Sequence, residues 1–261
     1  MTRVGVMLPT FSSDPGPALA TARAAEIGGL DGVFAFDHLW PMGNPGRPAL
    51  WSFGILGAVV ARTERIVVGP LVARIDLLPE DELVRTFAGL AMMAGTDRVI
   101  AALGAGDNLS AGENVSYGLR RAPVAERLAM LTRVADRLRA HGIVTWMGGN
   151  SEAVAGLAVT HADAHNVWGL TVEEIASRGA HPGHVPMTWG GQVLIGRDQD
   201  ELESLRATYG PRPGLVSGTV DDVALHLRGL GVTWTVCAPL DYIADPVRST
   251  ETVCLVREAV Q

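Results

Sequence analysis

The stretch VGVMLPTFSSDPGPALATARAAEIGGLDGVFAFDHL, residues 4–39, contains one strand–helix–strand unit. Apolar, strand-like runs begin it at Val4–Leu8 and end it at Gly32–Phe36. Between them, Asp14 can cap a helix whose alanine-rich body stops at Gly28. The segment therefore predicts two parallel strands joined by a helix.

The same alternation of strand and helix patterns continues along the chain. A helix over 124–138 has apolar side chains at steps of four and three, and a helix that follows Thr219 ends near Gly229. Six further strand-like runs bring the total to eight, at Arg65–Val72, Val99–Leu103, Ile143–Met147, His165–Trp168, Val185–Ile195 and Val232–Ala238.

Eight strands that alternate with helices predict an α/β fold, a single (β/α)8 TIM barrel that spans residues 1–261 as one domain. An open Rossmann-type sheet is the alternative, because Gly104-Ala105-Gly106 follows an apolar strand. Leu109 stands where the third glycine of that motif belongs. The barrel is therefore the favoured fold.

The composition excludes several classes of function. All 21 basic residues are arginines, so enzymes that need a reactive lysine are excluded. A net charge of -7 argues against nucleic acid and anionic membranes as partners, and no apolar run is long enough to span a membrane. Cys237 and Cys254 lack paired spacing, which predicts reduced core thiols and a cytoplasmic setting. Small molecules are the expected partners.

Functional residues of a barrel lie on the loops that follow the strands. A metal-dependent hydrolase of this fold needs early histidine ligands, but the first strand here ends in Leu8-Pro9-Thr10. Four later histidines lack carboxylate companions, and we expect them to be structural: His161, His165, His181 and His184. No metal site is predicted.

Four motifs in order along the chain resemble those of the luciferase-like flavin and deazaflavin oxidoreductases. These proteins bind a flavin-type ring in the mouth of a barrel. The motifs are VFAFDHL at Val33–Leu39, DRVIAALGAGDN at Asp97–Asn108, WMGGNSEAV at Trp146–Val154 and GTVDDVALHLRGLGV at Gly218–Val232.

The chain departs from this family in two places. The segment that the family usually inserts before the fifth strand is almost absent, which indicates a compact barrel with fewer walls around the substrate. A stretch that resembles ADGWN reads Ala162-Asp163-Ala164-His165-Asn166 here.

The resemblance implies that Asp37 and His38 form the acid–histidine pair that faces the reacting ring. A histidine there can take a proton while hydride moves, and a carboxylate can fix its tautomer. The alternative is that Asp37 braces a loop and His38 packs against Trp40. The resemblance also makes Asp107 a proton donor, with a loop carboxylate that binds backbone amides as its alternative and Glu113 as a nearby second acid.

The resemblance assigns the remaining contacts to the coenzyme and the substrate. A non-proline cis peptide between Leu71 and Val72 is expected under the ring, beside Gly104 and Gly106. The turn Gly148-Gly149-Asn150-Ser151 begins a helix and can hold a phosphate through its backbone amides. Three tryptophans are candidates for walls of the substrate pocket or for ordinary packing, namely Trp40, Trp168 and Trp189.

These residues predict an oxidoreductase that transfers hydride between a flavin-type coenzyme and a small organic substrate. The resemblance favours the deazaflavin coenzyme F420 over FMN, and arginines expected at the rim could meet its anionic tail: Arg47, Arg74, Arg120 and Arg121. An FMN-dependent monooxygenase, a non-catalytic flavin-binding barrel, and a lyase or hydrolase are the alternatives. A homodimer is the assembly that we consider.

Overall fold

The computed structural model describes residues 1–41, 44–107, 110–179 and 185–261. Strands and helices alternate through these ranges. The strands are β1 (Arg3–Met7), β2 (Gly32–Ala35), β3 (Val67–Pro70), β4 (Ala73–Arg74), β5 (Ile100–Gly104), β6 (Val144–Gly148), β7 (Ala164–Trp168), β8 (Met187–Gly196), β9 (Val216–Thr219) and β10 (Trp234–Pro239).

The helices pack outside the strands and cover the sheet. They are α1 (Gly16–Ile27), α2 (Ser52–Val60), α3 (Glu80–Ala94), α4 (Ala111–Ser116), α5 (Val124–Ala140), α6 (Glu152–His161), α7 (Val172–Gly179), α8 (Gln199–Tyr209), α9 (Val220–Gly229) and α10 (Pro246–Val260).

The parallel sheet closes on itself. Its strands follow the order β3-β2-β1-β10-β8-β7-β6-β5-β4, and β9 pairs with β8 outside this path. Since β3 and β4 are consecutive segments at one strand position, eight positions complete the ring. This result confirms the predicted barrel and excludes the open Rossmann-type sheet.

Side chains alternate between two apolar layers. The inner layer fills the barrel with large rings, including Phe34, Trp146 and Trp234, whose centroids lie 5.6–5.9 Å apart. The outer layer lies between the sheet and the helices. The barrel is therefore a filled core, and in this fold ligands bind at the carboxyl end of the strands, which we call the mouth.

Local differences from the prediction have simple causes. The predicted run Arg65–Val72 forms a strand only at Val67–Pro70, and after a break at residues 71–72 the short β4 follows at Ala73–Arg74. The weakly apolar strand β9 was not predicted. In α5, Val124 is exposed, and Arg127 is buried because its guanidinium donates to the carbonyl of Ala105 (2.6 Å).

Only three residues separate the end of α5 from β6, as the nearly absent insertion predicted. The helix α9 begins with a complete capping box between Thr219 and Asp222, which fixes its start where the sequence placed it. No helix among the described residues is long and apolar enough to cross a membrane.

Candidate active site

Asp37 and His38 follow β2 at the mouth, and their side chains take different partners. The Asp37 carboxylate is buried and accepts hydrogen bonds from the Ser52 hydroxyl (2.7 Å) and the Arg74 backbone N–H (2.9 Å). It therefore does not orient His38, which corrects the predicted pair. The alternative role, in which Asp37 braces a loop, is the one that the geometry shows.

The carboxylate that His38 meets belongs to Glu113 on α4. His38 Nδ1 lies 2.8 Å from Glu113 Oε1, and the Leu39 backbone N–H donates to Glu113 Oε2 (2.7 Å). A carboxylate is an acceptor, so Nδ1 carries the ring proton of a neutral His38, and Nε2 keeps a free lone pair. No hydrogen-bond partner for Nε2 is found among the described residues.

Buried charges hold Glu113 in its ionised form. Its side chain is 1% exposed, and Arg74 Nη2 lies 3.2 Å from Oε2. Burial by itself would raise the pKa of Glu113, but the hydrogen bonds from His38 and Leu39 and the charge of Arg74 outweigh burial and lower it. The pKa of Asp37 moves the other way, because burial outweighs its bonds to Ser52 and Arg74.

Arg74 connects the two carboxylates and is not a cation of the rim. Its side chain is only 4% exposed. Besides Glu113, its guanidinium donates to the carbonyl of Ser110 (3.1 Å) and to the amide oxygen of Asn114 (3.3 Å). The prediction that Arg74 meets an anionic tail is wrong, because the guanidinium is buried and already bound by groups of the protein.

The predicted proton donor Asp107 lies on an exposed loop after β5. Its carboxylate accepts from the backbone N–H (2.9 Å) and the hydroxyl (3.0 Å) of Ser110, the residue before α4. This is the alternative role that the sequence left open. A role in proton transfer stays a prediction. The neighbouring Gly106 has a φ of 73°, which favours glycine in this turn.

Hydrogen bonds to three different elements fix the predicted phosphate loop, residues 148–151. The amide of Asn150 exchanges two hydrogen bonds of 2.9 Å with the backbone of Trp168, and Ser151 Oγ caps α6 by accepting from Val154. Gly149 has a φ of 144°. Arg178 donates to the carbonyl of Asn150 (2.9 Å), so it places a cation at this loop. The sequence had not singled out Arg178.

The peptide bond between Leu71 and Val72 is cis, as predicted. The Val72 side chain fills the space above two neighbouring glycines. A Cβ on Gly104 would come within 2.4 Å of Val72 Cγ2, and one on Gly148 within 2.5 Å of Val72 Cγ1. These two glycines therefore make room for Val72 at the mouth, whether or not they also contact a coenzyme.

The three tryptophans lie in different environments. Trp168 is half-buried at the mouth, where its ring meets Phe36 edge-on at 5.7 Å. Trp40 lies 6.5 Å from Tyr117. Trp189 is fully buried, and its indole N–H donates to the carbonyl of Leu170 (3.0 Å). The prediction that Trp189 lines the pocket is wrong, because it faces the outer layer while Gly190 faces the barrel.

Two of the four histidines expected to be structural are described, and both have partners. His161 bonds to Asp136 (2.8 Å), which corrects the expectation that it lacks a carboxylate companion. The buried His165 donates from Nε2 to the carbonyl of Gly149 (2.7 Å). His181 and His184 lie outside the described residues, as does Asn108 of the second motif. No cluster of three or more metal-binding side chains occurs among the described residues.

The arrangement can move a proton at His38 Nε2 while Glu113 stabilises the charged imidazolium. The sequence named Glu113 only as a second acid. Its position three residues after Ser110, in the first turn of a short helix that follows the Gly-rich loop, was the available signal. The buried Asn114 gave no signal, because its partners come from a distant segment.

Curated relatives match part of the chain. An F420-dependent glucose-6-phosphate dehydrogenase of Nakamurella multipartita is 36% identical over 111 residues, which are 42% of this chain and 32% of that protein. A protein of the same name from Microbacterium testaceum is 31% identical over 150 residues, 56% of this chain and 44% of its own. The chain thus matches less than half the length of these relatives. No family model matches it.

Solved structures share the fold over nearly the whole chain. An F420-dependent secondary alcohol dehydrogenase, in complex with an F420-acetone adduct, superposes with a TM-score of 0.79 at 16% identity and covers 100% of this chain and 99% of its own. An EDTA monooxygenase from Chelativorans has a TM-score of 0.74 at 14% identity and covers 99% and 94%. These superpositions show that the chain has the same barrel fold as these proteins over nearly its whole length.

Proposed function

We propose that the chain is an oxidoreductase that transfers hydride between the deazaflavin coenzyme F420 and a small organic substrate. The observation that carries the proposal is the pair of His38 Nδ1 and Glu113 Oε1, 2.8 Å apart and backed by buried Arg74 at the mouth. A base with a fixed tautomer is what an alcohol needs in order to lose its hydroxyl proton while its carbon loses hydride. The names of the curated relatives support the same class of reaction.

The residues at the mouth fit a flat ring with a polar edge. Leu71, Val72 and Trp168 give an apolar surface there. Thr10 Oγ1 and Asp76 Oδ1 are buried on loops that follow β1 and β4, without a hydrogen-bond partner among the described residues. These atoms would hold polar groups of the coenzyme. When it is bound, the coenzyme supplies the acceptor or donor of hydride.

The phosphate of the coenzyme would lie at residues 148–151. The first turn of α6 offers backbone N–H groups, and Arg178 adds a positive charge next to them. Arg120 is exposed but paired with Glu126 through two bonds of 2.9 and 3.0 Å, so an anionic tail would have to compete for it. Arg47 is exposed on the loop after β2.

His38 is the proposed base, and Glu113 is a positioning residue. Nε2 accepts the proton from an alcohol, or returns it to a carbonyl oxygen in the opposite direction. Glu113 keeps the proton of the neutral ring on Nδ1 and lowers the free energy of the imidazolium. Arg74 and the Leu39 N–H keep Glu113 ionised, which maintains that stabilisation at neutral pH.

The proposal includes a cytoplasmic setting and a homodimeric assembly. Cys237 and Cys254 are both free and buried, and burial raises the pKa of the Cys237 thiol to about 12. Such unreactive thiols suit a reducing cytoplasm. A homodimer is proposed as the assembly, and sedimentation of the purified chain would test it.

Steady-state kinetics with F420 and a panel of alcohols test the function. His38→Asn is expected to lower kcat by about 10²–10⁴-fold, and Glu113→Gln to lower kcat while KM for the coenzyme changes little. Glu251→Gln, at an exposed carboxylate paired with Arg197, is the matched control, and we expect near wild-type rates from it. A large loss in Asp107→Asn with full activity in His38→Asn would reverse the assignment.

The same measurement separates the alternatives. Turnover with FMN and oxygen but not with F420 would support the monooxygenase. Tight coenzyme binding without turnover of any alcohol or carbonyl compound would support the non-catalytic barrel.

A further inference from the structure

A cavity of about 290 Å³ opens beside His38. Three segments build it: the chain after β2, the loop after β4, and the end of α4 with the residues that follow. Its described lining consists of His38, Leu39, Ala49, Trp51, Leu77, Tyr117 and Leu119. The volume is close to the lower end of the range for small-molecule sites, about 300–1,000 Å³.

The lining is mostly apolar. Six of the seven described lining residues are aliphatic or aromatic, and His38 is the only one of the seven with a basic side chain. Glu113 is already paired with His38 and Arg74, and Arg120 with Glu126, whereas Arg47 is exposed on the segment that carries Ala49. A phosphate group that entered this cavity would lose its hydration without meeting an arginine among the seven described lining residues.

Two aromatic side chains of the lining are unusually accessible. Tyr117 is 60% exposed and Trp51 is 42% exposed, although both rings have a partner, Trp40 and Phe53 respectively. Exposed aromatic surface next to a polar group is typical of a ligand site.

We infer that this cavity is the substrate site and that it takes an uncharged, apolar alcohol or carbonyl compound rather than a phosphorylated sugar. The inference rests on the proposed function, since it assigns to the base His38 the oxygen of the substrate. That oxygen would pair with Nε2, and the carbon skeleton would pack against the aliphatic and aromatic lining. The substrate class would thus differ from that named in the curated relatives.

Binding of acetophenone to the coenzyme-free protein, followed by calorimetry and ligand-observed NMR, tests the inference without turnover. The variant Leu119→Arg places a cation in the lining, and we expect it to weaken acetophenone binding by about tenfold or more. Leu225→Arg makes the same change on the exposed face of α9 and is the matched control. Ala49→Phe fills the cavity without a charge and is expected to weaken binding as well.

The expected results are saturable binding of acetophenone to the wild type and to Leu225→Arg, with weak binding to both cavity variants. Glucose 6-phosphate is expected not to bind. Saturable glucose 6-phosphate binding, no acetophenone binding, or equal acetophenone affinity in all four proteins would overturn the inference.

A parallel titration of the same samples with F420 keeps the two proposals apart. Coenzyme binding without acetophenone binding refutes the substrate class alone. Acetophenone binding to the cavity without coenzyme binding refutes the proposed function, on which the role of the bound molecule as substrate depends.

Discussion

Replacement of Glu113 by glutamine removes the charge at the centre of the site with almost no change of shape. Arg74, 4% exposed, would lose its buried counter-charge, and His38 would lose its carboxylate. Removal of one partner from a buried ion pair costs about 3–5 kcal/mol. We therefore expect Glu113→Gln to be clearly less stable than the wild type.

The size of the effect can be expressed as a melting temperature. For 261 residues, an unfolding entropy of about 2.1 cal/mol/K per residue gives roughly 0.55 kcal/mol/K. A loss of about 3–5 kcal/mol then lowers Tm by roughly 5–9 °C. Differential scanning calorimetry at pH 7 measures this shift.

The loss of stability in Glu113→Gln should depend on pH, in a direction that follows from the lowered pKa of Glu113. The folded protein lowers the pKa of Glu113 below 4.5, so the stabilisation is present above that value and is lost as pH falls through the lowered pKa. The difference between the wild type and Glu113→Gln should therefore be large at pH 7 and shrink in acid. Glu126→Gln breaks the exposed pair with Arg120 and serves as the control, with no measurable change. Equal losses in the two variants, or a difference that does not depend on pH, would refute this account of the network.

Three further predictions concern the surroundings of the site. Gly104→Ala should lower Tm, because the new Cβ would lie 2.4 Å from Val72 Cγ2. The second change Val72→Ala should restore Tm, and an equal loss of Tm in the double variant would contradict this. Ser52→Ala removes a hydrogen-bond donor from Asp37, whose pKa is raised by burial. Because this bond favours the ionised carboxylate, the free energy of unfolding measured in urea should fall by about 1.5–3 kcal/mol, and the loss should grow as pH rises through that pKa and not as it falls. Trp189→Phe should lower the free energy of unfolding by about 1 kcal/mol or more, because the hydrogen bond to Leu170 is lost, and should leave F420 affinity unchanged. Weaker F420 binding would contradict the placement of Trp189 in the outer layer.

The fold was predictable because each strand–helix unit carries its own local signals. Caps, glycines and apolar spacing placed α1, α9 and most strands within a few residues. The signals that failed were short ones. The strand β9 has only four residues and little apolar character, and it depends on pairing with β8 rather than on its own sequence.

The site was predictable in position but not in its pairings. Asp37 and His38 were expected at the mouth, where they are found. Which carboxylate contacts His38 depends on how α4 packs at the mouth. Glu113 lies 75 residues after His38 in the sequence, and a local sequence pattern does not predict a contact over that separation. The burial of Arg74 has the same origin. The outward direction of Trp189 could have been read from strand alternation, since neighbouring Gly190 faces the barrel.

Titration of the purified chain with F420 and, separately, with FMN tests the central claim most directly. Fluorescence quenching at low and high salt would give both affinities, with Arg178→Ala as the probe of the phosphate loop and Arg120→Ala as the control at an arginine already paired with Glu126. We predict micromolar F420 binding that weakens with salt and in Arg178→Ala, and weaker binding of FMN. Micromolar FMN binding with no measurable F420 binding would contradict the account.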